Sequence, residues 1–142
     1  MLMAAPQADP RPVVLVVDDE PMILRLMERT LVEAGYRVHP ASNGLRALEL
    51  AASLPTPPAA MVTDLRMEPI DGADLARLMA EQRPATRVLF VSGFIEDPDH
   101  PRLQGPMLKK PFAPAQLVAA VGRLLLDPAA CSQNHSDRPL AP

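Results

Sequence analysis

The sequence predicts an α/β fold in which a parallel sheet of five strands is covered by helices on both faces. Three observations carry this reading. Short runs such as Val13-Val14-Leu15-Val16-Val17 are apolar at every position, the pattern of strands buried on both sides. Between such runs lie stretches whose apolar residues recur at helical spacing, and strand-helix alternation at this interval points to parallel pairing. The chain carries 18 prolines against 6 glycines, and within the folded stretch they fall between the periodic segments, so they punctuate a core without forbidding one.

Each element follows in order. After the first strand, Pro21 suits a first helical turn, and Ile23, Leu24, Met27 and Leu31 line one face until Gly35 stops the helix. Tyr36-Arg37-Val38-His39 reads as a less apolar edge strand. Ser42 or Asn43 is placed to cap a second helix carrying Leu45, Leu48 and Ala52, ended by Pro55, Pro57 and Pro58. Ala60-Met61-Val62-Thr63 is a third strand closing on Asp64. Asp71 starts a third helix carrying Leu75, Leu78 and Met79, stopped before Pro84. Arg87 to Val91 is a fourth strand and Met107-Leu108 a very short fifth. A last helix from Pro114 turns Leu117, Val118, Val121, Leu124 and Leu125 inward. Between the last two strands, Pro98 and Pro101 break any apolar period, so a helix there is expected to be short or irregular. Met22, Met27, Met61 and Met79 are expected as core filler.

The chain of 142 residues fits one domain, expected over residues 12–126, with flexible tails at 1–11 and 127–142. A net charge of −3 without a basic cluster argues against nucleic-acid binding. No apolar run approaches the length of a membrane span, and the single Cys131 cannot form an internal disulfide; a cytoplasmic domain is expected.

In open α/β sheets ligands bind beyond the carboxyl ends of the strands. The residues there are Asp18, Asp19 and Glu20 after the first strand, Asp64 after the third, Ser92-Gly93 after the fourth, and Lys109-Lys110 after the fifth. Taken singly, each has an ordinary explanation: Asp18 or Asp19 as a helix cap, Asp64 and Ser92 as turn residues, Lys110 as a solvated charge. Their convergence on one rim is not explained that way. Gathered carboxylates repel one another unless a cation intervenes, and an all-oxygen site with few ligands suits Mg²⁺. A lysine and a hydroxyl opposite such a metal complete a clamp on a phosphoryl group.

Four motifs, Val16-Val17-Asp18-Asp19-Glu20, Asp64-Leu65-Arg66-Met67 leading to Asp71-Gly72, Val91-Ser92-Gly93, and Leu108-Lys109-Lys110-Pro111-Phe112, occur in this order. With them the chain resembles a receiver domain of the two-component response-regulator family. The resemblance implies a flavodoxin-like, doubly wound sheet of strand order 2-1-3-4-5. It implies that Asp64 accepts a phosphoryl group from a histidine kinase or histidine phosphotransfer protein. Asp19 and Asp64 would bind Mg²⁺ directly with the Arg66 backbone carbonyl, Asp18 acting mainly through water. Ser92 and Lys110 would contact the phosphoryl oxygens, Lys110 being preferred to Lys109 because it precedes a proline whose peptide bond is often cis in this family.

The sequence departs from the family pattern at Met107, where an aromatic residue is usual, at Glu68-Pro69, and in the shortened stretch from Ser92 to Lys110. Met107 and the shortening, along with the Ser92-Gly93-Phe94 triplet, are more similar to receivers at the ends of hybrid histidine kinases. With about 16 residues left after Leu126, no attached effector is expected, and Met1 with its loose following stretch suggests a free-standing protein signalling by contact with an unknown downstream protein. A phosphorylation-independent interaction module is the alternative, opposed by the intact acidic cluster. A Mg²⁺-dependent phosphohydrolase is less well supported, because Asp18-Asp19-Glu20 does not supply the Asp-x-Asp such enzymes carry after the first strand.

Overall fold

The computed structural model describes residues 9–93 and 106–126. Strands and helices alternate as β1 (Val13–Val17), α1 (Pro21–Glu33), β2 (Arg37–Ala41), α2 (Gly44–Ser53), β3 (Ala60–Asp64), α3 (Gly72–Gln82), β4 (Arg87–Ser92), β5 (Met107–Lys109) and α4 (Pro114–Leu126). All pairings are parallel, and the sheet order is β2-β1-β3-β4-β5. The chain direction across the sheet reverses beside β1, which puts the switch point between the ends of β1 and β3. The helix expected between β4 and β5, the tail at 127–142 and most of the tail at 1–11 lie outside the described residues.

Side-chain alternation along β1 divides the core in two. Val14 and Val16 pack with Met27 and Leu31 of α1 and Leu117, Val121 and Leu124 of α4. Leu15 and Val17 pack on the opposite face with Ala47 and Ala51 of α2 and Leu75 and Met79 of α3. Strand β3 is buried at every position, as a central strand covered on both faces must be.

Three expectations need correction. Helix α2 buries Gly44, Ala47 and Ala51, whereas Leu45 is 49% exposed, Leu48 is half-buried and Ala52 is exposed. The helix lies close to its neighbours, and Ile70 presses on Gly44 so tightly that an added Cβ would sit 2.6 Å from its Cγ1. A small-residue face wins there over the bulkier leucines. Met22 is 77% exposed, while Met27, Met61 and Met79 are fully buried. Strand β2 runs two residues past His39, through exposed Pro40, which an edge strand tolerates because its open side needs no donor. Just before β1, Asp9 accepts from Arg11 Nη2 at 2.7 Å and lies 3.8 Å from Arg37 Nε.

The element ends show their chemistry. Gly35 takes φ 105°, a left-handed conformation that suits glycine after a helix. Asn43 Oδ1 accepts from Arg46 N, and Asp71 Oδ1 from Asp74 N, each at 2.8 Å, so both side chains cap their helices. Among the described residues no helix is long and apolar enough to cross a membrane.

Candidate functional site

The strands carry the polar residues to one rim. Asp18 follows β1, Asp64 ends β3, Ser92 ends β4, and Lys110 follows β5. Parallel register keeps these ends level, with Asp64 opposite Val91 and Ser92 opposite Lys109. Backbone bonds extend the ladder into the loops: Asp18 N donates to Ala41 O, Leu65 N to Val91 O, and Lys110 N to Ser92 O at 2.8 Å.

Asp18, Asp19 and Asp64 each present a carboxylate oxygen within 4.8 Å of the others. Asp18 and Asp64 are buried and Asp19 is exposed. The Lys110 ammonium bridges the two buried groups, 3.1 Å from Asp18 Oδ2 and 3.2 Å from Asp64 Oδ1. Asp18 does not cap α1; its Oδ1 accepts from Glu20 N at 2.8 Å, and the helix begins without a side-chain cap at Pro21. Ser92 is buried at the end of β4, whereas Arg66 is exposed two residues beyond Asp64. Lys109 is exposed on β5, and the peptide bonds Glu68–Pro69 and Lys110–Pro111 are both cis.

Electrostatics follow from this packing. Burial and then the Asp18 charge raise the Asp64 pKa above the ordinary carboxylate value, and the Lys110 charge only partly offsets them. Burial pulls Lys110 downward, but its hydrogen bond to Asp18 and the charges of Asp18 and Asp64 outweigh that, and the net shift is upward. A carboxyl whose folded pKa exceeds its unfolded value disfavours folding once it is ionised in both states. In metal-free protein, Asp64→Asn is therefore expected to raise the thermal midpoint at neutral pH. The gain should shrink as pH falls through the raised value and vanish below the unfolded one, about 3.9. Melts across pH check this, and a less stable Asn variant at neutral pH would refute it.

The donor set fits a small hard cation. Three carboxylates supply only oxygen, and their mutual repulsion is incompletely relieved by Lys110.

Two residues absent from the expected site set bear on the backbone at Asp64 and Leu65. Thr63, fully buried, donates from Oγ1 to Asp64 O at 2.9 Å; a lone hydroxyl at the end of the apolar run Ala60-Met61-Val62 was its only signal. Gly72, within the quoted Asp71-Gly72 pair, donates its N–H to Leu65 O at 2.8 Å, and a Cβ there would strike Asp64 O.

Comparison with known proteins agrees with this architecture. The response regulator receiver domain family matches residues 14–122. The response regulator receiver protein CpdR of Brucella abortus is 31% identical over 118 residues, spanning 80% of this chain and 96% of that protein. The sensor kinase CckA of the same organism is 34% identical over 116 residues, spanning 79% of this chain and only 12% of that protein. A crystal structure of a response regulator receiver protein from Sinorhizobium medicae superposes with a TM-score of 0.72 at 34% identity, covering 82% of this chain and 96% of that one. With its doubly wound sheet and acidic rim, this chain belongs to the response regulator receiver domain family, the phosphoacceptor module of two-component signalling.

Proposed function

We propose that Asp64 is the phosphoacceptor and that the residues around it form a clamp for the transferred group. An ionised Asp64 oxygen attacks the phosphorus of a phosphohistidine; the O–P bond forms as the P–N bond breaks, and the departing imidazole takes its proton from solvent. Ser92 donates its hydroxyl to one phosphoryl oxygen and Lys110 its ammonium to another. Asp19, Asp64 and the Arg66 backbone carbonyl would hold Mg²⁺, with Asp18 acting through water, and the ion would neutralise charge on the phosphoryl oxygens. Gly93 leaves space at the mouth, since a Cβ on it meets no atom of the described residues within 4 Å. The donor is a histidine kinase or a histidine phosphotransfer protein, and the output is contact with a downstream protein. The only turnover expected of the domain itself is its own phosphorylation and dephosphorylation.

The observation that carries this reading is the Lys110 ammonium bridging Asp18 and Asp64 at 3.1 and 3.2 Å, within a carboxylate cluster at the switch point. Acetyl phosphate tests it. Incubation with the intact chain should give a label that needs Mg²⁺, survives acid, is removed by hydroxylamine and is absent from Asp64→Asn. Label that persists in the Asn variant, or none in the native chain, would contradict the assignment. Steady turnover of phosphoesters without a stable label would point instead to a phosphohydrolase.

A further inference from the structure

We propose that Thr63 is a positioning residue for the acceptor, its hydroxyl and the Cα of Gly72 together fixing the peptide that joins Asp64 to Leu65. The inference rests on Asp64 being the phosphoacceptor. Thr63 is fully buried and sits in register between Val17 of β1 and Phe90 of β4. Valine would fill that apolar row with the same shape, so packing gives no reason for a hydroxyl there. Its Oγ1 donates to Asp64 O at 2.9 Å. On the other side of the same peptide, Leu65 N donates to Val91 O at 3.0 Å. The next carbonyl, Leu65 O, accepts from Gly72 N at 2.8 Å, and Gly72 approaches so closely that a Cβ would lie 2.9 Å from Leu65 Cα.

This arrangement sets where the carboxylate points. The Asp64 side chain hangs from the Cα whose next bond enters that peptide, so turning the carbonyl alters the backbone torsion on which the side-chain direction depends. The Lys110 ammonium meets Asp64 Oδ1 at 3.2 Å, and phosphoryl transfer requires attacking and leaving atoms in line. A sub-ångström swing costs little in stability and much in rate.

Two substitutions in the intact chain separate positioning from packing. Thr63→Val keeps the shape and removes the hydroxyl; Thr63→Ser keeps the hydroxyl and removes a buried methyl. With acetyl phosphate and saturating Mg²⁺, the Val variant should label roughly tenfold more slowly than the native chain while keeping a cooperative melt. The Ser variant should melt at lower temperature and yet label within about twofold of the native rate. A purely structural Thr63 would make rate follow melting temperature, so a Ser variant slower than the Val variant overturns the inference. So does a Val variant that labels at the native rate while Asp64→Asn remains unlabelled, an outcome that leaves the acceptor assignment standing. A native chain with no Asp64-dependent label overturns both.

Discussion

Lys110→Ala is expected to slow phosphorylation of Asp64 by about 10²-fold, the usual cost of removing one preorganised group that stabilises transition-state charge. The ammonium lies 3.2 Å from Asp64 Oδ1 and 3.1 Å from Asp18 Oδ2, so its loss acts on both carboxylates. The Asp64 pKa, already raised by burial and by Asp18, should rise further once the offsetting cation is gone. A carbon-13 titration of the Asp64 carboxyl would show the midpoint move upward in the Ala variant. Asp18, only 1% exposed, would lose its charged partner, and metal-free stability should drop by about 2 kcal/mol. A labelling rate within about twofold of native would refute the role given to Lys110.

Gly72→Ala is expected to be the most damaging change of a single methyl group. The new Cβ would strike Asp64 O and lie 2.9 Å from Leu65 Cα, and both obstacles are backbone atoms that no rotamer change can move. A loss of about 3 kcal/mol is expected, with a fall in melting temperature on the order of 10 °C. Because the strained peptide belongs to Asp64, labelling should slow as well. Gly93→Ala is the control, since a Cβ there meets nothing within 4 Å among the described residues and should leave the melt unchanged. Equal melting temperatures for the two variants would show that the close approach at Gly72 carries no cost.

The fold was largely readable because its central strands carry runs of consecutive apolar residues. Val13 to Val17 and Arg87 to Val91 stand out without reference to any partner, and Asn43, Asp71 and Gly35 mark helix ends by local chemistry alone. What failed depended on neighbours. Hydrophobicity favours Leu45 over Ala47, yet only tight packing, seen where Ile70 meets Gly44, decides which face turns inward. Met22 fits a helical stripe but falls where nothing covers it among the described residues.

Within the site, the polar residues were readable as those that follow strands, and the structure brings Asp18, Asp19, Asp64, Ser92 and Lys110 to one rim. The Lys110 bridge was less visible, because it joins residues 92 positions apart and needs the sheet order to form. Thr63 was missed for a similar reason. A threonine in a strand is ordinary, and only the bond from its hydroxyl to Asp64 O marks it.

The central claim is that one carboxylate, Asp64, carries the phosphoryl group. Borohydride reduction of the chain after acetyl phosphate treatment converts an aspartyl phosphate to homoserine, which peptide mass spectrometry locates. Reduction at position 64 alone, dependent on Mg²⁺, is the predicted result. Homoserine at Asp18 or Asp19, or none anywhere in the chain, would contradict it.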